Sequence, residues 1–241
     1  MRNAEENFQH IGPVVMYQRW KRLLFLHWPY EPGIVQAKLP EGLIADRWQG
    51  DAWLGIVCLA MRDVRPRFLP AIGGLSNFLQ LNVRTYVRDA AGRPGVWFFS
   101  LDCSQSLAAS LARGLLGLPY HCADIRERPG NARESYYFHC QRRGSHVVEH
   151  YEYTRSGCLM PPAAGTIEEF LLERYRLYSI RRRRLMSVEI RHRSLEMESA
   201  ELRRWSTAPL EAAGFNMGAE APVHAWYSPG GKVDVFAPRY L

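Results

Sequence analysis

The sequence predicts a mainly β (α+β) fold: a barrel-like antiparallel sheet with a few short helices packed at its ends. Three observations predict it. About ten segments read as strands, tight turns join most of them, and the helical patterns are few and short. Tight turns imply antiparallel pairing, and that many antiparallel strands close or stack to bury an apolar face.

In chain order, Leu23 to Leu26 is an apolar strand. Pro32 to Lys38 reads as one or two helical turns, ended by Leu39-Pro40-Glu41-Gly42. Ile44 to Trp48, the Gln49-Gly50-Asp51 turn and Ala52 to Met61 read as a hairpin. Arg65 to Gly74 is a proline-rich surface loop, long enough for a rim or lid or for an ordinary connection. Phe78 to Arg88, a loop from Asp89 to Gly95, and Val96 to Asp102 form a second hairpin. Ser106 to Leu116 is the clearest helix, because Leu107, Leu111 and Leu115 recur every four residues. Gly117 and Pro119 then halt it and present Tyr120 and His121 at the start of the next strand.

Tyr136 to Arg142, the Arg143-Gly144 turn and Ser145 to Thr154 predict a third hairpin. Thr166 to Arg174 opens with a capping box, Thr166 with Glu169. Strands follow at Tyr175 to Ile180 and Leu185 to Arg193, and Leu210 to Ala213 closes another helix. The last hairpin is Val223 to Tyr227, Pro229-Gly230-Gly231, and Lys232 to Ala237.

With 241 residues, 47% of them hydrophobic, the chain is long enough for one sizeable core, read as one domain over residues 1–241. No run of 18 apolar residues predicts a membrane span, and the polar stretch Met1 to His10 lacks a signal-peptide core. No membrane partner is expected. The cysteines Cys58, Cys103, Cys122, Cys140 and Cys158 are scattered without a CxxC pair, which predicts reduced thiols in the cytoplasm rather than disulfides or a zinc site. The net charge is +7, and of 31 basic residues only Lys21, Lys38 and Lys232 are lysines. The run Arg181 to Arg184 reads either as a phosphate patch or as a solvated turn between strands, and no aromatic-basic alternation surrounds it.

Several motifs are tested by spacing. His146-Val147-Val148-Glu149-His150 matches H-x-x-E-H, but valines and tyrosines around it favour strand. On a strand the two histidines stand about 13 Å apart, too far for one metal ion; no metal is predicted. There is no G-x-S-x-G elbow, no dinucleotide fingerprint and no Walker loop, so no cofactor is predicted. His27 is a candidate pocket base or a hydrogen-bonded structural histidine. Asn82 and Arg84 share a strand face opposite Leu81, Val83 and Thr85. Either face could point inward; an inward Arg84 needs a carboxylate or an anionic ligand.

The segments Gln18-Arg19-Trp20 through Leu26-His27-Trp28-Pro29, Leu39 to Leu43, Leu81 to Val87, Gly95 to Asp102, Leu118-Pro119-Tyr120, and Glu173-Arg174-Tyr175 after Phe170 together resemble an uncharacterised bacterial family, domain of unknown function 2071. Gln80 departs from the acidic residue usual there. That family is in turn similar to acetoacetate decarboxylase, which implies a barrel- or cone-like sheet around a central pocket. In the decarboxylase the turn after the helix carries two lysines, one forming a Schiff base with the ketone. Tyr120 and His121 stand at the corresponding positions, and neither can do so. The superfamily also places an early arginine toward the pocket, which matches Arg19, or Lys21.

The resemblance implies a small-molecule pocket protein without Schiff-base chemistry. It would bind a small organic acid through Arg19, Arg84 and His27, or act as a lysine-independent lyase or hydratase with His121 and Tyr120 as the catalytic pair. The alternatives are a nucleic-acid or polyanion binder using the arginine surplus, which the lack of aromatic interleaving disfavours, and a metal hydrolase at His146 and His150. Exposed strand edges leave a homo-oligomer open.

Overall fold

The computed structural model describes residues 12–130 and 132–241, so the stretch Met1 to His10 lies outside the described residues. The elements are β1 (Val14–Tyr30), α1 (Pro32–Ala37), β2 (Leu43–Ala45), β3 (Ala52–Pro66), β4 (Phe78–Asp89), β5 (Pro94–Cys103), α2 (Ser106–Leu116), β6 (Tyr120–Pro129), β7 (Ser135–Arg142), β8 (Glu149–Met160), α3 (Ile167–Leu172), β9 (Arg176–Arg181), β10 (Arg184–Arg191), β11 (Met197–Arg204), α4 (Ala208–Ala212), β12 (His224–Phe236) and β13 (Arg239–Tyr240).

Nine strands close into a ring, β5-β6-β7-β8-β11-β12-β1-β3-β4 and back to β5. This is the mainly β architecture the sequence predicts. Pairing is antiparallel except where β5 meets β6 and β9. The β9–β10 hairpin leaves the ring at β5 and rejoins it at β12. The strands β12, β1, β3, β4 and β5 therefore also wall a second, smaller ring.

That shared wall is buried on both faces. Residues 52–61 of β3 and 23–28 of β1 are buried without a break, which is why the sequence there is continuously apolar rather than alternating. One face sends Leu24, Leu26, Ile56, Cys58 and Leu81 into the nine-strand ring, against Phe138, Tyr151 and Tyr153. The other packs Phe25, Val57, Tyr86 and Val96 against Ala109 of α2, Leu171 and Leu172 of α3, and Leu195. Each fully buried Leu, Ile or Phe contributes about 1.5–3 kcal/mol, so both faces hold the fold.

Several expected connections differ. Strand β2 pairs with β4, Leu43 opposite Asp89, and not with β3; the 49–51 turn closes only an isolated Trp48–Asp51 bridge. The third hairpin forms with a later second strand, since β8 begins at Glu149 and His146 lies exposed in the preceding coil. The final hairpin is instead one continuous strand, β12, paired with β1 along its length. Arg22 has φ +50° where the β1–β3 register shifts, between Lys21 and Leu24, and Gly230 has φ +86°. The β1–β12 register runs unbroken past this point, Lys21 opposite Gly230 and Leu23 opposite Ser228, so the strand continues through Pro229. A Cβ on Gly230 would lie 2.2 Å from the Trp20 carbonyl oxygen.

Helix α2 has the predicted bounds, but its leucine stripe faces outward. Leu107, Leu111 and Leu115 are exposed, and the helix buries Ala109 instead. Arg182 and Arg183 take φ +51° and +63° at the exposed tip of the β9–β10 hairpin, so the arginine run is a turn between strands.

Candidate functional site

Strand β4 carries polar side chains at alternate positions, Gln80, Asn82, Arg84 and Tyr86. The period of two turns all four to one face, the one where Val57, Leu59 and Tyr86 pack into the second ring. Leu81 and Val83 point into the nine-strand ring. Neither face of β4 lies in water, so the outer-face alternative for Arg84 does not apply.

Arg84 is half-buried. Its guanidinium lies over the rings of Phe25 and Tyr86, 5.3 and 5.5 Å from their centroids. Nη2 makes a long 3.5 Å bond to the Leu171 carbonyl, and Nε has no hydrogen-bond partner. Among the described residues no carboxylate pairs with it. Arg174 differs: it too lies over Tyr86, at 5.3 Å, but it bonds Asp46 at 2.7 Å, and Arg88 holds the same carboxylate.

His27 on β1 and Arg84 on β4 flank Gly55 on β3 in register. A Cβ on Gly55 would stand 3.2 Å from His27 Cδ2 and 3.4 Å from Arg84 Cγ. Glycine is what lets the two side chains close over the middle strand. His27 Nε2 shares a 2.7 Å hydrogen bond with the Tyr86 hydroxyl, and Nδ1 has no partner. Burial, then the nearby Arg84 charge, holds the His27 pKa well below the usual histidine value, so the ring is neutral. Burial also raises the Tyr86 phenol. Asn82 Oδ1 and Trp53 Nε1 are buried in the same wall, each without a hydrogen-bond partner.

Tyr120 faces the same side of the wall and donates to Gln80 Oε1 at 3.0 Å. Its burial pushes the phenol pKa up. His121 does not join it. As the next residue on a strand it points to the opposite face, in register with Asp102, whose carboxylate takes two bonds from Arg142 at 2.7 and 2.9 Å. Burial, then Arg142, lowers the His121 pKa. Near it, burial and then Asp102 raise Glu149 to about 7, and Glu149 Oε2 is unbonded.

Arg19 lies outside both cores, in a partly exposed 3.5 Å pair with Asp63. The three lysines, Lys21, Lys38 and Lys232, are all exposed, so among the described residues no lysine amine stands at the wall. His150 bonds Tyr137 and its ring lies 5.2 Å from His139. Among the described residues no three potential ligands gather for a metal ion. The structure thus brings together His27 and Arg84, with Tyr120 farther along the same face, and separates Arg19 and His121 from them. Sequence reasoning missed Tyr86 and Gly55; the alternate polar residues Gln80, Asn82, Arg84 and Tyr86 were the signal.

The pattern of a family described as "Uncharacterized conserved protein", domain of unknown function 2071, matches residues 17–232. The uncharacterized protein YqjF of Bacillus subtilis (strain 168) is 32% identical over 213 residues, 88% of this chain and 87% of that protein. The acetoacetate decarboxylase-like enzyme from Sphingomonas wittichii RW1 superposes with a TM-score of 0.64 at 15% identity, over 95% of this chain and 94% of that one. The acetoacetate decarboxylase of Legionella pneumophila gives 0.63 at 13%, covering 98% and 90%. The enduracididine biosynthesis enzyme MppR, complexed with pyruvate, gives 0.63 at 14%, covering 98% and 93%. These likenesses are of fold.

Proposed function

The chain belongs to the domain of unknown function 2071 family, and from that premise we propose that it binds a small organic acid at the Arg84–His27–Tyr86 cluster. One observation carries the reading: Arg84 is turned into a packed wall with no carboxylate partner and an unbonded Nε. A buried guanidinium is costly unless paired, and a ligand carboxylate supplies the missing partner in bidentate geometry. Arg84 as a whole is half-buried, while its unbonded Nε is enclosed, so the ligand approaches from the exposed end of the guanidinium. MppR, which shares the fold, is seen with pyruvate, an acid of this class.

Neutral His27 and the Tyr86 hydroxyl bonded to it are the proton-carrying groups beside such an acid. Imine chemistry needs an amine, and the three lysines are exposed away from this face, while Tyr120, one of the two residues that the resemblance to acetoacetate decarboxylase aligns with its lysines, bonds Gln80. Arg19 and His121 are left out of the proposed site.

The test is thermal melting with acetate, pyruvate, acetoacetate and succinate, on the wild type and on Arg84→Met. At least one acid raises the wild-type midpoint by mass action, and the variant loses that rise. No rise with any acid, or an equal rise in Arg84→Met, overturns the proposal.

A further inference from the structure

Against the expectation from sequence of no membrane partner, we propose that helix α2 and the loop before β4 form a surface that docks on an anionic lipid bilayer. The apolar side chains of this surface are largely exposed among the described residues, and only Arg67 lies over one of them, 5.2 Å from the Phe68 ring centroid. Phe68 is 87% exposed, Leu69 and Ile72 are 54% exposed, and Leu107, Leu111 and Leu115 are 51–58% exposed. The two segments are continuous: Gln105, which caps α2, bonds the Gly74 carbonyl at 2.6 Å. At the other end Gly117 abuts Arg181, with a Cβ position only 3.3 Å from the Arg181 Cβ, and Ser179 Oγ bonds the Leu116 carbonyl. Loop, helix and arginine turn therefore form one ridge.

The charge on this ridge is of one sign. Arg65, Arg67, Arg113 and Arg181 to Arg184 lie along it, and the segments 64–76, 104–121 and 180–186 contain no Asp or Glu. Glu41 and Asp89 share a cleft with Arg183 beyond the turn, Asp89 being buried and paired with Arg93. Among the described residues ten other arginines are held in ion pairs with carboxylates, and none of the seven ridge arginines is. Exposed leucines and a phenylalanine flanked by unpaired arginines match the two layers of an anionic bilayer surface, acyl chains beneath phosphates. Among the described residues no helix is long and apolar enough to cross a membrane, so α2 lies on the surface.

A second copy of the chain fits less well. An antiparallel pairing of α2 helices sets Arg65 and Arg67 of one copy against Arg181 to Arg184 of the other, like charge on like. A nucleic acid would meet the arginines but leave the leucines in water.

The test is flotation with vesicles of equal parts phosphatidylglycerol and phosphatidylcholine, against pure phosphatidylcholine vesicles. The full chain floats with the anionic vesicles alone, and binding weakens with salt. Arg182→Gln/Arg183→Gln weakens binding about fivefold per arginine. Leu111→Gln/Leu115→Gln, and separately Phe68→Ser in the loop, reduce it tenfold or more while the circular dichroism spectrum stays that of the wild type. No flotation at low salt, equal flotation on neutral vesicles, variants that bind like the wild type, or a dimer that the leucine variant dissolves, overturns the proposal.

Discussion

Arg84 and Arg174 both lie over the ring of Tyr86, at 5.5 and 5.3 Å, yet only Arg174 has a carboxylate, Asp46 at 2.7 Å. The same ring thus lies under one cation paired with a carboxylate and one without such a partner among the described residues. The two arginines should respond oppositely to removal. Arg174→Met strands Asp46 with Arg88 as its remaining partner and costs about 3 kcal/mol. Arg84→Met removes an unpaired charge and leaves stability unchanged or higher. Urea denaturation of both variants checks this, and equal losses would refute it.

His27 sets a second expectation. Its folded pKa is depressed below the ordinary 6.5 by burial and then Arg84. Below that value the unfolded chain takes up a proton that the folded chain does not. The His27 contribution is therefore complete above pH 6.5 and is lost as pH falls toward the depressed value. His27→Gln keeps a hydrogen-bonding partner for Tyr86 and cannot titrate. Its stability should decline less than the wild type between pH 7 and pH 5 in denaturant titrations; an identical slope would count against a neutral buried ring.

Glu149 has the opposite sign. Its folded pKa is raised from 4.5 to about 7, by burial and then by Asp102. The folded chain holds a proton that the unfolded chain releases, so this contribution is complete below pH 4.5 and is lost as pH rises through about 7. Glu149→Gln mimics the protonated acid. It should exceed the wild type in stability at pH 8, by on the order of 3 kcal/mol, and match it near pH 4. A variant weaker at pH 8 would show that the carboxylate is ionised and satisfied in the fold.

Gly117 joins α2 to β6 at φ +64°, and a Cβ there would lie 2.1 Å from the Ile180 carbonyl oxygen. Gly117→Ala should cost at least about 3 kcal/mol, from the left-handed backbone and the clash together. A melting midpoint within a degree or two of the wild type would refute the close approach.

Local chemistry made much of this legible. The Ser106–Leu116 helix, the β4–β5 pairing and the β9–β10 hairpin with its arginine tip follow from period and turn residues alone. Partner choice was not legible. An apolar run around 44 cannot announce that β4, rather than β3, receives it. Pro229-Gly230-Gly231 has turn chemistry, yet it runs straight through β12 in unbroken register with β1. Strand β11, with Glu198, Glu201, Arg203 and Arg204, hides behind its charges. The site was half legible. Tyr120 and His121 are neighbours on a strand, and the period of two already forbids them a common face. Arg84 and His27 were visible as polar residues in apolar runs, while their meeting over Gly55 depends on a register no local pattern contains.

Because five strands wall both rings, neither compartment can be peeled away while the other stays dry. Loosening β4 or β3 would flood two interiors at once. The chain should therefore lose its structure in a single all-or-none event, with the slowest amide hydrogen exchange concentrated along β1, β3 and β4 and no half-melted form carrying one intact ring.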